Sequence, residues 1–186
     1  MLVKFLMLAV FLVPSAFLLH QPPTQDDPET NSFIGVEACA TCHKTEKQGK
    51  QLEIWKNSKH SRAYQTLLTE QADKIAEELG HSTLAAETEE CLKCHASGYN
   101  VDPQFLGAKF KIEDGVQCET CHGAGSNYKS ISVMKNREEA VAKGLILHDN
   151  IEDYCISCHN PESPTFVEID FGEQWQKIRH DVPKKE

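Results

Sequence analysis

Residues Gly115 to Tyr128 read GVQCETCHGAGSNY, in which Cys118 and Cys121 lie three positions apart and His122 follows directly. The same Cys-x-x-Cys-His pattern occurs four times and uses all eight cysteines of the chain. Two thiols at this spacing reach the two vinyl groups of one porphyrin, and the adjacent histidine ligates the iron. The pattern therefore predicts covalent attachment of four haem c groups.

Each motif supplies two thioether cysteines and one proximal iron ligand. The cysteines predicted to bind haem are Cys39 and Cys42, Cys91 and Cys94, Cys118 and Cys121, and Cys155 and Cys158. The predicted proximal ligands are His43, His95, His122 and His159. The first cysteines are separated by 52, 27 and 37 residues, so the motifs do not form a simple tandem repeat.

Zinc sites and disulfides are the alternative interpretations of eight cysteines. Paired Cys-x-x-Cys motifs build zinc sites, and an exported chain with eight cysteines can form four disulfides. Neither alternative explains a histidine directly after every second cysteine. Haem attachment accounts for all twelve residues at once.

The composition predicts a core that is filled by something other than side chains. From residue 21 onward, 31 of 166 residues are Leu, Ile, Val or Phe, a share that with high net charge is typical of disorder. Four porphyrins supply the missing apolar surface. The expected fold is mainly α with much irregular structure, one compact domain packed around four haems, and the haem-free chain is expected to be largely unfolded.

Apolar periodicity and capping residues predict four helical segments. They cover residues 51–68, residues 71–79, a short helix that Asn136 opens and that ends near Gly144, and residues 172–180. Residues 97–115 are expected to be mostly irregular, with Phe105, Phe110 and Ile112 in short strands or against haem. Gly123 and Gly125 are expected to permit a sharp turn or a close approach of the backbone to a porphyrin.

The N-terminal segment predicts export. Residues 1–20 combine Lys4 with a long apolar run, residues 21–32 form a polar, proline-containing linker, and residues 33–186 form the haem domain. Cleavage near Ala16 and retention as an uncleaved membrane anchor are both open. Either outcome places the domain in the periplasm, where haem c attachment is expected.

The charge of the chain constrains its partners. The formal net charge is -9, and removal of residues 1–20, which contain Lys4 and no acid, makes it -10. An acidic surface argues against nucleic acid and favours redox partner proteins with a basic docking patch.

Distal iron ligands are sought among the histidines outside the motifs. Outside the export signal these are His60, His81, His148 and His180, whereas Met134 is the only methionine after residue 20. Ligation by two histidines is therefore expected at most sites, which gives lower reduction potentials than His/Met ligation.

Several elements together resemble the tetrahaem cytochrome c-554 family of ammonia oxidisers. They are the first motif, Trp55-x4-His60 about a dozen residues later, the glycine-flanked third motif, and a histidine shortly before the last motif. The resemblance implies that His60 is a distal ligand reaching the third haem, that His148 serves the fourth, and that the haem of the second motif is five-coordinate. The family's distal histidine about ten residues after the third motif is missing, because Ser132 stands there. His81 or His180 must replace it, or that haem lacks a sixth ligand.

The expected function is electron transfer. Closely spaced six-coordinate haems pass electrons between redox partners, and the chain is expected to be a carrier rather than an enzyme. One alternative is an enzyme that reduces nitric oxide, nitrite or peroxide at a five-coordinate haem, although no acid–base partner is evident in the sequence. Another is a subunit of a cytochrome filament.

Overall fold

The computed structural model describes residues 31–183. The predicted export signal and residues 21–30 of the predicted linker lie outside this range. The described chain folds into short α-helices joined by turns and 3-10 segments, as expected from the sequence. The helices are α1 (Val36–Ala40), α2 (Gln51–Asn57), α3 (Ala63–Leu67), α4 (Glu70–Glu78), α5 (Glu89–His95), α6 (Cys118–His122), α7 (Ile131–Met134), α8 (Arg137–Ala142), α9 (Ile151–Cys155) and α10 (Phe171–Ile178).

Within residues 31–183 there is no β-strand, only an isolated parallel bridge between Phe33 and Leu106. The Phe33 N–H donates to Phe105 O at 2.8 Å, and Gly107 N–H donates to Phe33 O at 2.7 Å. The rings of Phe33 and Phe110 meet edge to face with centroids 5.9 Å apart. The residues of the irregular 97–115 segment thus anchor the chain that leads into α1.

Among residues 31–183, each helix is too short or too polar to span a bilayer.

Helix α4 forms where the sequence predicts it. The Thr69 side chain caps its first turn by accepting from Ala72 N–H at 3.2 Å, and Gly80 follows its last residues with φ +89°. The apolar stripe buries Ala76 against Leu67 of α3 and Ala85. This small cluster lies beneath α5, the helix of the second motif.

The single helix predicted over residues 51–68 is divided in the structure. Helix α2 ends at Asn57, a 3-10 turn covers His60–Arg62, and α3 begins at Ala63. Ser58 is extended, with ψ 164°, and its hydroxyl donates to Trp55 O at 2.7 Å. This local side-chain bond competes with the helical ladder and redirects the chain just before His60.

The two C-terminal helical predictions are confirmed within a residue or two. Asn136 caps α8 by accepting from Glu139 N–H at 3.2 Å, and Gly144 with φ +102° ends that segment. Asp170 caps α10 by accepting from Glu173 N–H at 2.8 Å, and His180 lies two residues beyond the helix.

The side-chain core of the described region is small. Its buried hydrophobic residues are Ile34, Val36, Leu67, Ala76, Ala85, Ala96, Tyr128, Val133 and Ala140. Four of these are alanines, and no large side chain among residues 31–183 is fully buried. Such a core is what the composition predicts for a chain whose interior is completed by a prosthetic group.

Candidate haem-binding site

Each Cys-x-x-Cys-His motif lies on one helical turn. The third motif is α6 itself, the second ends α5, and the first and fourth continue from the last residues of α1 and α9. In the first and fourth motifs the histidine N–H donates to the O atom of the first cysteine, at 3.0 Å for His43 and 2.9 Å for His159. A helical turn places residues i and i+3 on one face, so the two thiols of each motif can address one porphyrin.

The eight cysteines are free thiols in the structure, and no disulfide joins them. Burial raises the pKa of Cys94 and Cys121 to about 11, which keeps these two side chains as neutral thiols rather than thiolates. Within residues 31–183, no three His, Cys, Asp or Glu side chains converge as a metal site would require. Neither the zinc nor the disulfide interpretation gains support from this geometry.

Two pairs of imidazoles lie at a centroid separation that suits two ligands of one iron. The ring centroids of His60 and His159 are 6.1 Å apart, and those of His122 and His180 are 6.0 Å apart. A ligating imidazole nitrogen lies about 2.0 Å from its metal and roughly 1 Å from its own ring centre, so two axial imidazoles have centres roughly 6 Å apart. Each pair joins one predicted proximal ligand with one predicted distal ligand.

The other ring nitrogens orient these imidazoles. A carbonyl oxygen only accepts, so His180 Nδ1–H donates to Ile178 O at 2.9 Å, and His122 Nδ1–H points to Ile146 O at 3.4 Å. In the second motif, His95 Nδ1–H donates to Ala63 O at 2.8 Å. In the neutral tautomer that donates from Nδ1, Nε2 is the ring nitrogen that can bind iron.

Burial favours the neutral form of three of the predicted ligand histidines. It lowers the pKa of His60 and of His159, and their mutual proximity lowers that of His60 further. Burial likewise lowers the pKa of His122. Neutral imidazole is the form that ligates a metal.

An open groove lies beside the fourth motif. Its volume is about 660 Å³. Its lining combines His159 with apolar and acidic side chains: Ile156, Phe166, Ile169, Phe171, Glu152, Glu168 and Asp170. The imidazole pairs and the helical turns of the motifs are the features of these residues that fit haem c.

His60 is held by the chain that precedes the third motif. Val116 N–H donates to His60 O at 3.0 Å, and Trp55 Nε1–H donates to Val116 O at 2.8 Å. Gly115 has φ +72°, and a Cβ there would lie 2.7 Å from His60 O. The Trp-x4-His element and the glycine before the third motif therefore form one connected unit.

The pairing of His60 differs from what the family resemblance implies. That resemblance assigns His60 to the third motif, whereas the structure brings it to His159 of the fourth. The family has a histidine about ten residues after the third motif, where this chain has Ser132. His180 lies beside His122 of that motif. The path of α10, which the sequence does not reveal, brings His180 there.

His148 and His81 do not face a proximal imidazole in this way. His148 Nε2–H donates to Cys121 O at 2.7 Å, and its ring lies 4.3 Å from that of Tyr154. His81 Nδ1 lies 3.9 Å from the Glu90 carboxylate, next to the second motif. Met134 packs against the cluster of Tyr128, Val133 and Ala140.

The motifs touch one another in a definite order. The Cys39 thiol of the first motif contacts the Cys118 thiol of the third, and Cys94 of the second contacts Cys158 of the fourth. Cys121 of the third motif lies within electrostatic reach of Cys155 and Cys158 of the fourth. The spatial order of attachment sites is thus first, third, fourth, second.

Sequence reasoning missed Glu119, the one acidic residue inside a motif. Its side chain is 2% exposed, and its two carboxylate oxygens accept from the backbone N–H groups of Ile34, Gly35 and Gly125. An acid between the two haem-binding cysteines was the available signal. A Cβ at Gly125 would lie 2.9 Å from Ile34 Cδ1 and 3.1 Å from Glu119 Oε1, so a glycine there lets the backbone approach the carboxylate closely. Gly123 makes the expected turn with φ +77°.

Comparison with known proteins finds the same likeness as the sequence motifs. The family model described as cytochrome c554 and c-prime matches residues 38–123. This confirms the resemblance to the cytochrome c-554 family. Cytochrome c-554 of Nitrosomonas europaea is 26% identical over 141 residues, and the match covers 68% of this chain and 57% of that relative. No solved structure matches the chain.

The cytochrome c-554 resemblance supports a c-type cytochrome with covalently bound haem c. The match spans little more than half of the curated relative's length. The family model includes the first three motifs, and the fourth lies beyond its matched residues.

Proposed function

We propose that this chain is a periplasmic tetrahaem c-type cytochrome that relays electrons between redox partner proteins. The observation that carries the proposal is the two pairs of neighbouring imidazoles, His60 with His159 and His122 with His180, each at a centroid separation that suits two ligands of one iron. When bound, haem c supplies reversible one-electron iron chemistry. The four Cys-x-x-Cys-His motifs support a count of four.

The facing histidines favour electron transfer over catalysis at the third and fourth motifs. His180 and His60 would take the positions that a substrate needs on those irons. His180 can offer Nε2 because its Nδ1–H donates to Ile178 O. Burial lowers the pKa of His60 and so favours the neutral ring that binds a metal. The contacts between motifs keep successive attachment sites adjacent. The fold of the chain would therefore set the order in which haems bound there exchange electrons.

His148 is proposed as the distal ligand of the first motif. Both His43 and His148 lie within electrostatic reach of His122, so all three imidazoles share one region. His122 itself already has His180 opposite it. Because its Nε2–H donates to Cys121 O, His148 would offer Nδ1 to a metal.

The proposed environment follows from the sequence. Residues 1–20 are proposed to direct export, with an uncleaved membrane anchor as the alternative outcome. The acidic net charge of -9 supports partners with a basic docking patch, and association should weaken as salt rises.

A specific observation favours a second candidate function at the second motif. Among residues 31–183, His95 has no imidazole facing it at the separation found for His122 and His159, and His81 lies beside Glu90 instead. An iron held by His95 would then have an open position for nitric oxide, nitrite or peroxide. Ligation by His81 would close that position.

Anaerobic reductive titration tests the electron-carrier proposal. We expect the holoprotein to take up four electron equivalents per chain and to return them to an oxidant without turnover of a small substrate. Nitric oxide added to the reduced protein is the control for the second candidate. Uptake of fewer than four equivalents contradicts the tetrahaem carrier, and sustained consumption of nitric oxide favours the enzyme.

A further inference from the structure

The buried carboxylate of Glu119 connects the first and third motifs. It lies in α6 between Cys118 and Cys121, and its Oε1 accepts from Ile34 N–H at 2.8 Å and from Gly125 N–H at 2.7 Å. Its Oε2 accepts from Ile34 N–H at 3.0 Å and from Gly35 N–H at 2.8 Å. Ile34 and Gly35 lead directly into α1, which carries Cys39.

The backbone around Glu119 is shaped to reach it. Gly35 has φ +80°, and a Cβ there would lie 2.6 Å from Lys109 O, so only glycine fits where the chain turns towards the carboxylate. The Cys39 and Cys118 thiols meet beside it. One side chain therefore fixes the distance between two attachment sites that are 79 residues apart in sequence (118 − 39 = 79).

The donors to Glu119 are backbone dipoles rather than cationic side chains. Burial raises the pKa of Glu119, while the N–H groups of Ile34, Gly35 and Gly125 act against that rise. Lys129, whose charge also favours the carboxylate form, is exposed. Backbone dipoles stabilise the carboxylate but, unlike a cationic side chain, do not cancel its charge. A net negative charge therefore remains in an interior where solvent screens it poorly.

Resting on the haem binding proposed above, we infer that Glu119 is a positioning residue that holds the first motif against the third and places a negative charge beside both. A nearby negative charge stabilises the oxidised form of a redox centre and lowers its reduction potential. The two groups held at the first and third motifs therefore have potentials lower than Glu119-free versions of the same sites. The second and fourth motifs, which Glu119 does not touch, are left unchanged.

The test is Glu119→Gln in the full-length holoprotein, with Glu138→Gln as matched control. Glu138 is an exposed acid of α8, so the control removes the same formal charge from a solvated position. Redox titration at pH 8, followed by visible and electron paramagnetic resonance spectra, gives the midpoint potentials. We expect two of the four to rise in Glu119→Gln by a tenfold change in the oxidised-to-reduced ratio, about 59 mV for one electron. We expect all four to stay unchanged in Glu138→Gln.

Glu119→Asp separates the charge from the hydrogen bonds. It keeps the negative charge on a shorter side chain, so we expect near wild-type potentials with a lower melting temperature. If Glu119→Gln fails to mature while Glu138→Gln matures normally, the positioning role is supported. The midpoint potentials of Glu119→Asp then decide whether the charge of Glu119 also lowers the potentials. Four unchanged potentials in mature Glu119→Gln, or an upward shift in Glu119→Asp as large as in Glu119→Gln, overturns the inference. A wild-type chain with fewer than four haems contradicts the proposed function instead.

Discussion

The haem-free chain is expected to show no cooperative thermal unfolding transition. Ordering each residue costs about 1–2 kcal/mol of backbone entropy, whereas full burial of a large apolar side chain contributes about 1.5–3 kcal/mol. Residues 31–183 contain no fully buried large side chain, and four of their nine buried hydrophobic residues are alanines. The side chains alone therefore cannot offset the entropy of folding.

Circular dichroism on protein produced without haem attachment measures this directly. The control is the same chain matured with haem, for which we expect a cooperative transition at a clearly higher temperature. A sigmoidal melt of the haem-free protein with native-like helix content would mean that the polypeptide core is sufficient and that haem does not hold this fold together.

Removal of His60 or His180 is expected to convert one iron from low spin to high spin. In His60→Ala the imidazole that faces His159 is lost, and in His180→Ala the one that faces His122 is lost. Each iron would then keep only its proximal ligand, and about a quarter of the haem signal should change in each variant. Electron paramagnetic resonance at low temperature reports the spin state of each centre.

Neighbouring substitutions serve as controls for these two variants. Lys59→Ala and Arg179→Ala change exposed residues next to His60 and His180. Every iron in these two variants should keep the spin state that it has in the wild type. His148→Ala tests the proposed ligand of the first motif in the same way. Unchanged low-spin spectra in both His60→Ala and His180→Ala would contradict the axial pairing.

Local features of this protein were readable from the sequence because short-range chemistry determines them. The spacing inside each Cys-x-x-Cys-His motif fixes its helical turn, and Asn136 caps a helix that begins where the capping pattern indicates. Gly123 turns with positive φ, as a glycine directly after a motif suggested. All of these depend on residues within a few positions of one another.

Features that depend on the path of the chain were not readable. The division of the predicted 51–68 helix comes from a hydrogen bond of Ser58, and the placement of His60 against the fourth motif depends on Trp55 and Val116, which are 61 residues apart. His180 was a candidate by position, but only the course of α10 reveals that it faces His122. Glu119 was overlooked because its partners, Ile34 and Gly35, lie 84 to 85 residues away.

Intact mass spectrometry of the mature protein tests most directly whether haem is covalently attached at the four motifs. The expected result is the polypeptide mass plus four haem increments, with peptides that carry each increment containing one Cys-x-x-Cys-His motif. A polypeptide with no covalent increment, produced in cells that mature other c-type cytochromes, would contradict it.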